Sequence, residues 1–242
     1  MKTVVIAGLL ITRLAAQGFA APSLVSGMAA IDQALIPVAS LSNQGKAEAA
    51  KAALIRLQSQ WTIFYASARD AFPGDAEWTR GLENVRDTIA EAAQAAQEGN
   101  LPKVHEVLEG VRITFEELRE KRNIDYYLDG FSKYRVVRDK TIAVLTGKKA
   151  SDLTEADIRF VSSMVPALKS AWASVQAANL DAELFHFDAA KMAEIRAAMD
   201  SVGKTIAKLE SVAPGGTRDQ VFEAMSLLKP SLTKAFLMFG KF

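Results

Sequence analysis

The chain has 242 residues, half of them hydrophobic, with 29 Lys and Arg against 28 Asp and Glu. That is ample for one or two packed domains, and a net charge of +1 with both signs interspersed excludes the basic footprint of a nucleic-acid binder and a polybasic membrane patch. The lack of cysteine excludes disulfides, thiolate metal sites, iron–sulfur clusters and haem attached through a Cys-x-x-Cys-His motif.

Residues 1–20 read as a secretory signal. Lys2 supplies a positive start, and Thr3 to Thr12 is an apolar run of h-region length. Gly18-Phe19-Ala20 places small residues at the −3 and −1 positions for cleavage before Ala21. Arg13, directly after the run, fits this poorly; the alternative is a short apolar first helix of a cytoplasmic protein. The run is shorter than the roughly 20 apolar residues that cross a bilayer. The expectation is a periplasmic or secreted protein with no transmembrane span in the mature chain.

Beyond residue 20 helical periodicity dominates, and no stretch alternates with period two for long enough to be a strand. Helices are predicted near 23–41, 46–70, 76–98 and 102–122, then 126–146, 155–184, 189–211 and 218–238. Trp78, Leu82, Val85, Ile89, Ala92 and Ala96 form one narrow apolar stripe; Met192, Ile195, Met199, Val202, Ile206 and Leu209 form another. Such stripes are the seams of helices packed at shallow angles. Asp75, Thr154 with Asp157, and Asp188 read as helix N-caps. Pro102 follows a stop at Gly99-Asn100, where a first-turn proline is harmless. Pro166 and Pro230 fall inside predicted helices and are expected to kink them or shift a boundary.

The chain also echoes itself. Leu57-Gln58-Ser59-Gln60-Trp61 returns as Leu168-Lys169-Ser170-Ala171-Trp172, and Val85 and Ile89 return as Val202 and Ile206. Repetition on this scale points to a duplicated unit. The predicted fold is all-α, two tandem antiparallel four-helix bundles over residues 21–123 and 124–242, with Trp61 and Trp172 as equivalent anchors. The first helices of the two units match poorly.

One helical face carries candidate chemistry. His105, Glu109, Arg112 and Glu116 are spaced four, three and four apart, so they share a face beside the apolar stripe. His105 and Glu109 can reach one metal ion, with Asp129 and Asp139 from the next helix as further carboxylates. Against that, Arg112, Arg135 and Arg138 would repel a metal and pair with the carboxylates, which makes Arg112, Glu116, Arg135 and Arg138 members of an ion-pair seam. His186 lies between two phenylalanines before a helix, where a structural role is expected. Tyr127, Phe131 and Tyr134 read as core, with a stacking platform as the alternative. The sequence has no Gly-x-Ser-x-Gly elbow and no phosphate-binding glycine loop.

Gln97-Glu98-Gly99-Asn100, then Lys103-Val104 and an amphipathic helix ending Leu118-Arg119-Glu120-Lys121-Arg122, resembles the last two helices of the soluble four-helix b-type cytochromes. The similarity spans residues 78–122 and is fainter over 189–238. That family holds haem between a Met on its first helix and a His near the end of its fourth. Here the fourth helix ends in Arg122, His105 is at its other end, and the second unit ends Leu237-Met238-Phe239. The resemblance therefore implies the bundle and argues against carrying the haem over. The expected function is an exported, non-catalytic binding or structural subunit, with a protein partner or small ligand and no nucleic acid. The alternative is a metal- or haem-binding carrier or redox protein using the His/carboxylate face.

Overall fold

The computed structural model describes residues 21–242, with side chains from Leu24 onward. The signal reading of residues 1–20 lies outside the described residues. Eight α-helices follow in order: α1 (Ala21–Asn43), α2 (Ala47–Ala68), α3 (Ala76–Gln97), α4 (Leu101–Glu120), α5 (Tyr127–Ile142), α6 (Glu155–Ala177), α7 (Ala189–Val212) and α8 (Arg218–Leu237). Two short 3-10 turns, Ala143–Leu145 and Ala150–Asp152, lie between α5 and α6. The fold is all-α, with no strand among the described residues.

Local chemistry sets the helix starts. The Asp75 carboxylate accepts from the N–H groups of Glu77 and Trp78 at 3.0 and 2.9 Å. Asn100 accepts from Lys103 N–H at 3.1 Å. Before it Gly99, at φ +75°, takes the left-handed turn that ends α3, and Asn100 N–H returns to the Ala95 carbonyl at 2.8 Å. Thr154 with Asp157 and Thr217 with Gln220 form reciprocal capping boxes, and Asp188 accepts from Lys191 N–H. Each such cap contributes about 1 kcal/mol.

Two boundaries differ from the sequence expectation. α6 stops at Ala177 instead of continuing to residue 184. Asp181 explains this: its carboxylate accepts from the N–H groups of Glu183 and Leu184 at 2.9 and 3.1 Å, offering that backbone a turn in place of a helix. α5 gives way at Ile142 to a 3-10 turn. Pro166 and Pro230 shift no boundary; α6 and α8 run through them, and α1 runs through Pro37.

Two hydrophobic cores result. α1 to α4 surround one, which contains Leu57, Trp61, Phe64, Trp78, Leu82 and Phe115. α5 to α8 surround the other, which contains Phe131, Tyr134, Leu168, Trp172, Phe185 and Phe239. α1 serves both: Met28, Ile31, Leu35 and Val38 enter the first core, while Ala29 and Ile36 enter the second. It is the one described helix long and apolar enough to cross a bilayer, yet most of it is buried in the protein.

Trp61 and Trp172 are both buried, and Phe131 and Tyr134 pack edge-on against Trp172. Trp61→Ala and Trp172→Ala are each expected to cost about 3–5 kcal/mol. Ile55→Ala, at a side chain 67% exposed on α2, should stay within about 0.5 kcal/mol of the parent. Urea unfolding of the three variants checks this contrast.

Candidate functional site

The charged face of α4 meets α1 and α5 where the two cores adjoin. Its deepest member is Arg119, which continues the spacing of His105, Glu109, Arg112 and Glu116 by three more residues. The Arg119 side chain is 4% exposed. Its guanidinium grips Asp129 at the start of α5 with two hydrogen bonds, the Nε–Oδ2 one at 2.9 Å. It lies 4.3 Å from the Tyr126 ring centre, and Nη1 is 3.8 Å from Met28 Sδ on α1. The Tyr126 hydroxyl donates to Asp32 Oδ2 at 2.7 Å. One cation, two carboxylates and a phenol from α1, α4 and the α5 start therefore form one buried cluster.

Burial pushes the Asp32 carboxyl above its ordinary value, outweighing the opposing pull of Arg119 and of the Tyr126 hydrogen bond. Burial would also neutralise Arg119, but the hydrogen bond and charge of Asp129 hold the guanidinium firmly protonated. Tyr126 is pushed well above the usual phenol range by burial and by the neighbouring Asp32.

Two turns back along α4 the face opens into a cleft of about 440 Å³ between α1, α4, α5 and α8. Its floor is apolar, with Ile36, Phe131, Leu232 and Phe236. Its walls carry Arg112, Arg135, Arg138 and Lys229 together with Glu109 and Asp139. Arg112 Nη1 donates to Glu109 at 3.4 Å and Nη2 to Ser132 Oγ at 3.3 Å, and its guanidinium lies 4.4 Å from the Phe236 ring centre. Arg135 pairs with the other Glu109 oxygen. Buried Arg138 pairs with Asp139, through Nε at 2.9 Å. Burial alone would raise Glu109, but Arg112 and Arg135 outweigh it and hold the carboxyl below its usual range.

His105 is turned toward α1. Its Nδ1 faces the Ala39 carbonyl at 3.3 Å, which only a protonated nitrogen satisfies, so Nε2 is left to accept from the Asn43 amide at 3.5 Å. The four residues considered as metal ligands do not converge. His105 is engaged by α1, Glu109 by Arg112 and Arg135, Asp129 by Arg119, and Asp139 by Arg138. Among the described residues no group of three His, Asp or Glu side chains is placed to hold a metal ion. The guanidinium groups beside these carboxylates already supply positive charge that would repel a cation.

Arg112, Arg135 and Arg138 do enter ion pairs at this seam, whereas Glu116 lies apart. It lines a separate hollow with Asp129, Gly130 and Lys133 and joins no ion pair among the described residues. His186 is exposed at φ +55° in the turn before α7, flanked by the stacked rings of Phe185 and Phe187. Phe131 and Tyr134 are core residues; Tyr127 is half-buried. No family model, curated protein or solved structure matches this chain, so the site rests on its own geometry.

Arg119→Met should destabilise the protein by about 3–5 kcal/mol, because it leaves Asp32 and Asp129 without their counter-charge. The two perturbed carboxyls give opposite pH signatures. Asp32 binds its proton more tightly folded than unfolded, so it weakens the fold as pH climbs past 3.8. Asp32→Asn is therefore expected to raise the melting temperature at pH 7 and to lose that advantage below pH 4. Glu109 binds its proton less tightly when folded, so Glu109→Gln should lower the melting temperature at pH 7, with the difference fading as pH falls. Melting curves across pH 3–8 check both signs.

Proposed function

We propose that the protein is an exported, non-catalytic binding subunit whose ligand occupies the cleft between α1, α4, α5 and α8. The supporting observation is the cleft itself: an apolar floor with a few fixed polar groups around it, in the size range of small-molecule sites. Its walls come from helices of both cores, a placement typical of ligand sites at the junction of packed units. Two of the titratable groups within it are committed to structure. Glu109 is held ionised between two arginines, and both nitrogens of His105 face α1. A carboxylate held in its charged form and occupied by two guanidinium groups favours binding over acid–base chemistry at Glu109.

Export rests on the signal-like pattern of residues 1–20 and predicts a mature chain starting at Ala21. Intact mass of the protein isolated from its native host should match a chain cut there, and a retained Met1 would refute it. The binding reading is tested by an NMR-detected small-molecule screen. Hits should perturb Phe131 and Phe236, and Phe236→Ala should weaken them about tenfold. A screen whose hits all map elsewhere would remove the cleft as the site.

A further inference from the structure

Resting on the binding reading, the charge balance and shape of the cleft define the ligand more closely. Four cationic side chains, Arg112, Arg135, Arg138 and Lys229, face only two carboxylates, Glu109 and Asp139. Asp32 also acts on Arg112 by charge but is more strongly engaged by Arg119 and Tyr126, and Lys229 joins no ion pair among the described residues. Both nitrogens that Arg138 uses fall on the same Asp139 oxygen, and the Asp139 side chain is half exposed. Guanidinium groups fixed in this way, beside an exposed ammonium without an ion pair, suit a carboxylate or phosphate head.

The cleft is also not closed. It shares Ser40 of α1, Gln44 just beyond it, and Lys229, Thr233 and Leu237 of α8 with a shallow groove of about 820 Å³. Pro230, Met238 and the exposed Phe242 give that groove an apolar surface, and Lys191 and Lys234 stand along it. Exposed apolar surface leading away from a cationic pocket fits a ligand with a charged head and an apolar tail.

We infer that the cleft binds an amphipathic organic anion, its head among Arg112, Arg135, Arg138 and Lys229 and its apolar tail along the Leu237–Met238–Phe242 groove. The same chemistry is presented by a free fatty acid and by an anionic phospholipid, and the test separates the two. Calorimetric titration with dodecanoate, dodecanol and acetate, each below its aggregation limit, is run beside sedimentation with phosphatidylglycerol and phosphatidylcholine vesicles. The expected result is 1:1 binding of dodecanoate at least tenfold tighter than dodecanol or acetate. The double variant Arg135→Gln/Lys229→Gln should weaken it at least tenfold, and Phe242→Ala, in the tail groove, should weaken it while leaving the head preference intact. If the double variant melts early, Lys229→Gln alone, at an exposed residue, carries the charge test with a smaller loss.

Binding to phosphatidylglycerol vesicles alone, lost in the charge variant, would support the anionic head and assign it to a lipid surface. Equal affinity for dodecanol and dodecanoate would overturn the anion, as would dodecanoate binding that neither charge variant alters. If dodecanoate and vesicles both fail while screen hits sensitive to Phe236→Ala persist, the anionic ligand is wrong and the cleft stands. If those hits are absent too, both readings fall.

Discussion

The arrangement of this protein depends on the burial of one positive charge. A guanidinium removed from water must be matched by groups with the same reach and planarity, and its free energy collapses if they are taken away. Arg119 finds them on two segments: Asp129 and the Tyr126 ring at the head of α5, and Met28 far away in sequence on α1. Asp32, tied to the cluster through the Tyr126 hydroxyl, adds a second anchor on α1. The backbone assists, since Ile124 N–H returns to the Arg119 carbonyl at 3.0 Å and Asn123 takes φ +52° to make that turn. The link from α4 to α5 is thus held where it leaves the first core and enters the second. The cleft two turns away inherits its helix spacing from that anchor.

α1 is the second constraint. A helix buried on one side needs one apolar stripe, whereas α1 is enclosed by α2 and α4 on one side and touches α8 on the other. Its sequence is correspondingly apolar all round, the composition of a helix buried in a large core or of a membrane span. Its polar residues show which applies. Besides Asp32, Gln33 Nε2 donates to the Phe185 carbonyl at 2.7 Å, and Lys241 N–H donates to the Gln33 carbonyl at 2.9 Å. These bonds tie α1 to the second core, where a lipid-facing helix would leave the same groups unmet.

The sequence made the helices and most of their caps legible because those depend on neighbours only a few residues apart. The 3.6-residue stripes and Asp75, Thr154 and Asp188 needed no tertiary information. The end of α6 was hidden because Asp181 competes with the helix by a side-chain bond that propensity does not weigh. Arg119 was in plain view, two turns beyond Arg112 on the same face. What hid it was its type: an arginine beside an apolar stripe reads as solvated until its partners from α1 and α5 are known. The poor match between the first helices of the two predicted units has a physical counterpart: α1 fills two cores, while α5 carries the partners of Arg119. Which carboxylate pairs with which arginine depends on side-chain directions that spacing alone does not give.

That shared helix also has a consequence for how the protein is made. A ribosome adds residues far more slowly than a helix forms, so α1 is complete, and can settle against α2 and α4, while its Ala29 and Ile36 side still has no partner. Among the partners on that side is α8, which follows every other described helix in the chain. Until that helix is made, the Ala29 and Ile36 side of α1 lacks the apolar cover that the second core gives it. Closing it requires α8 to reach back to α1, which ties the second core to a contact between two helices about 200 residues apart in the chain.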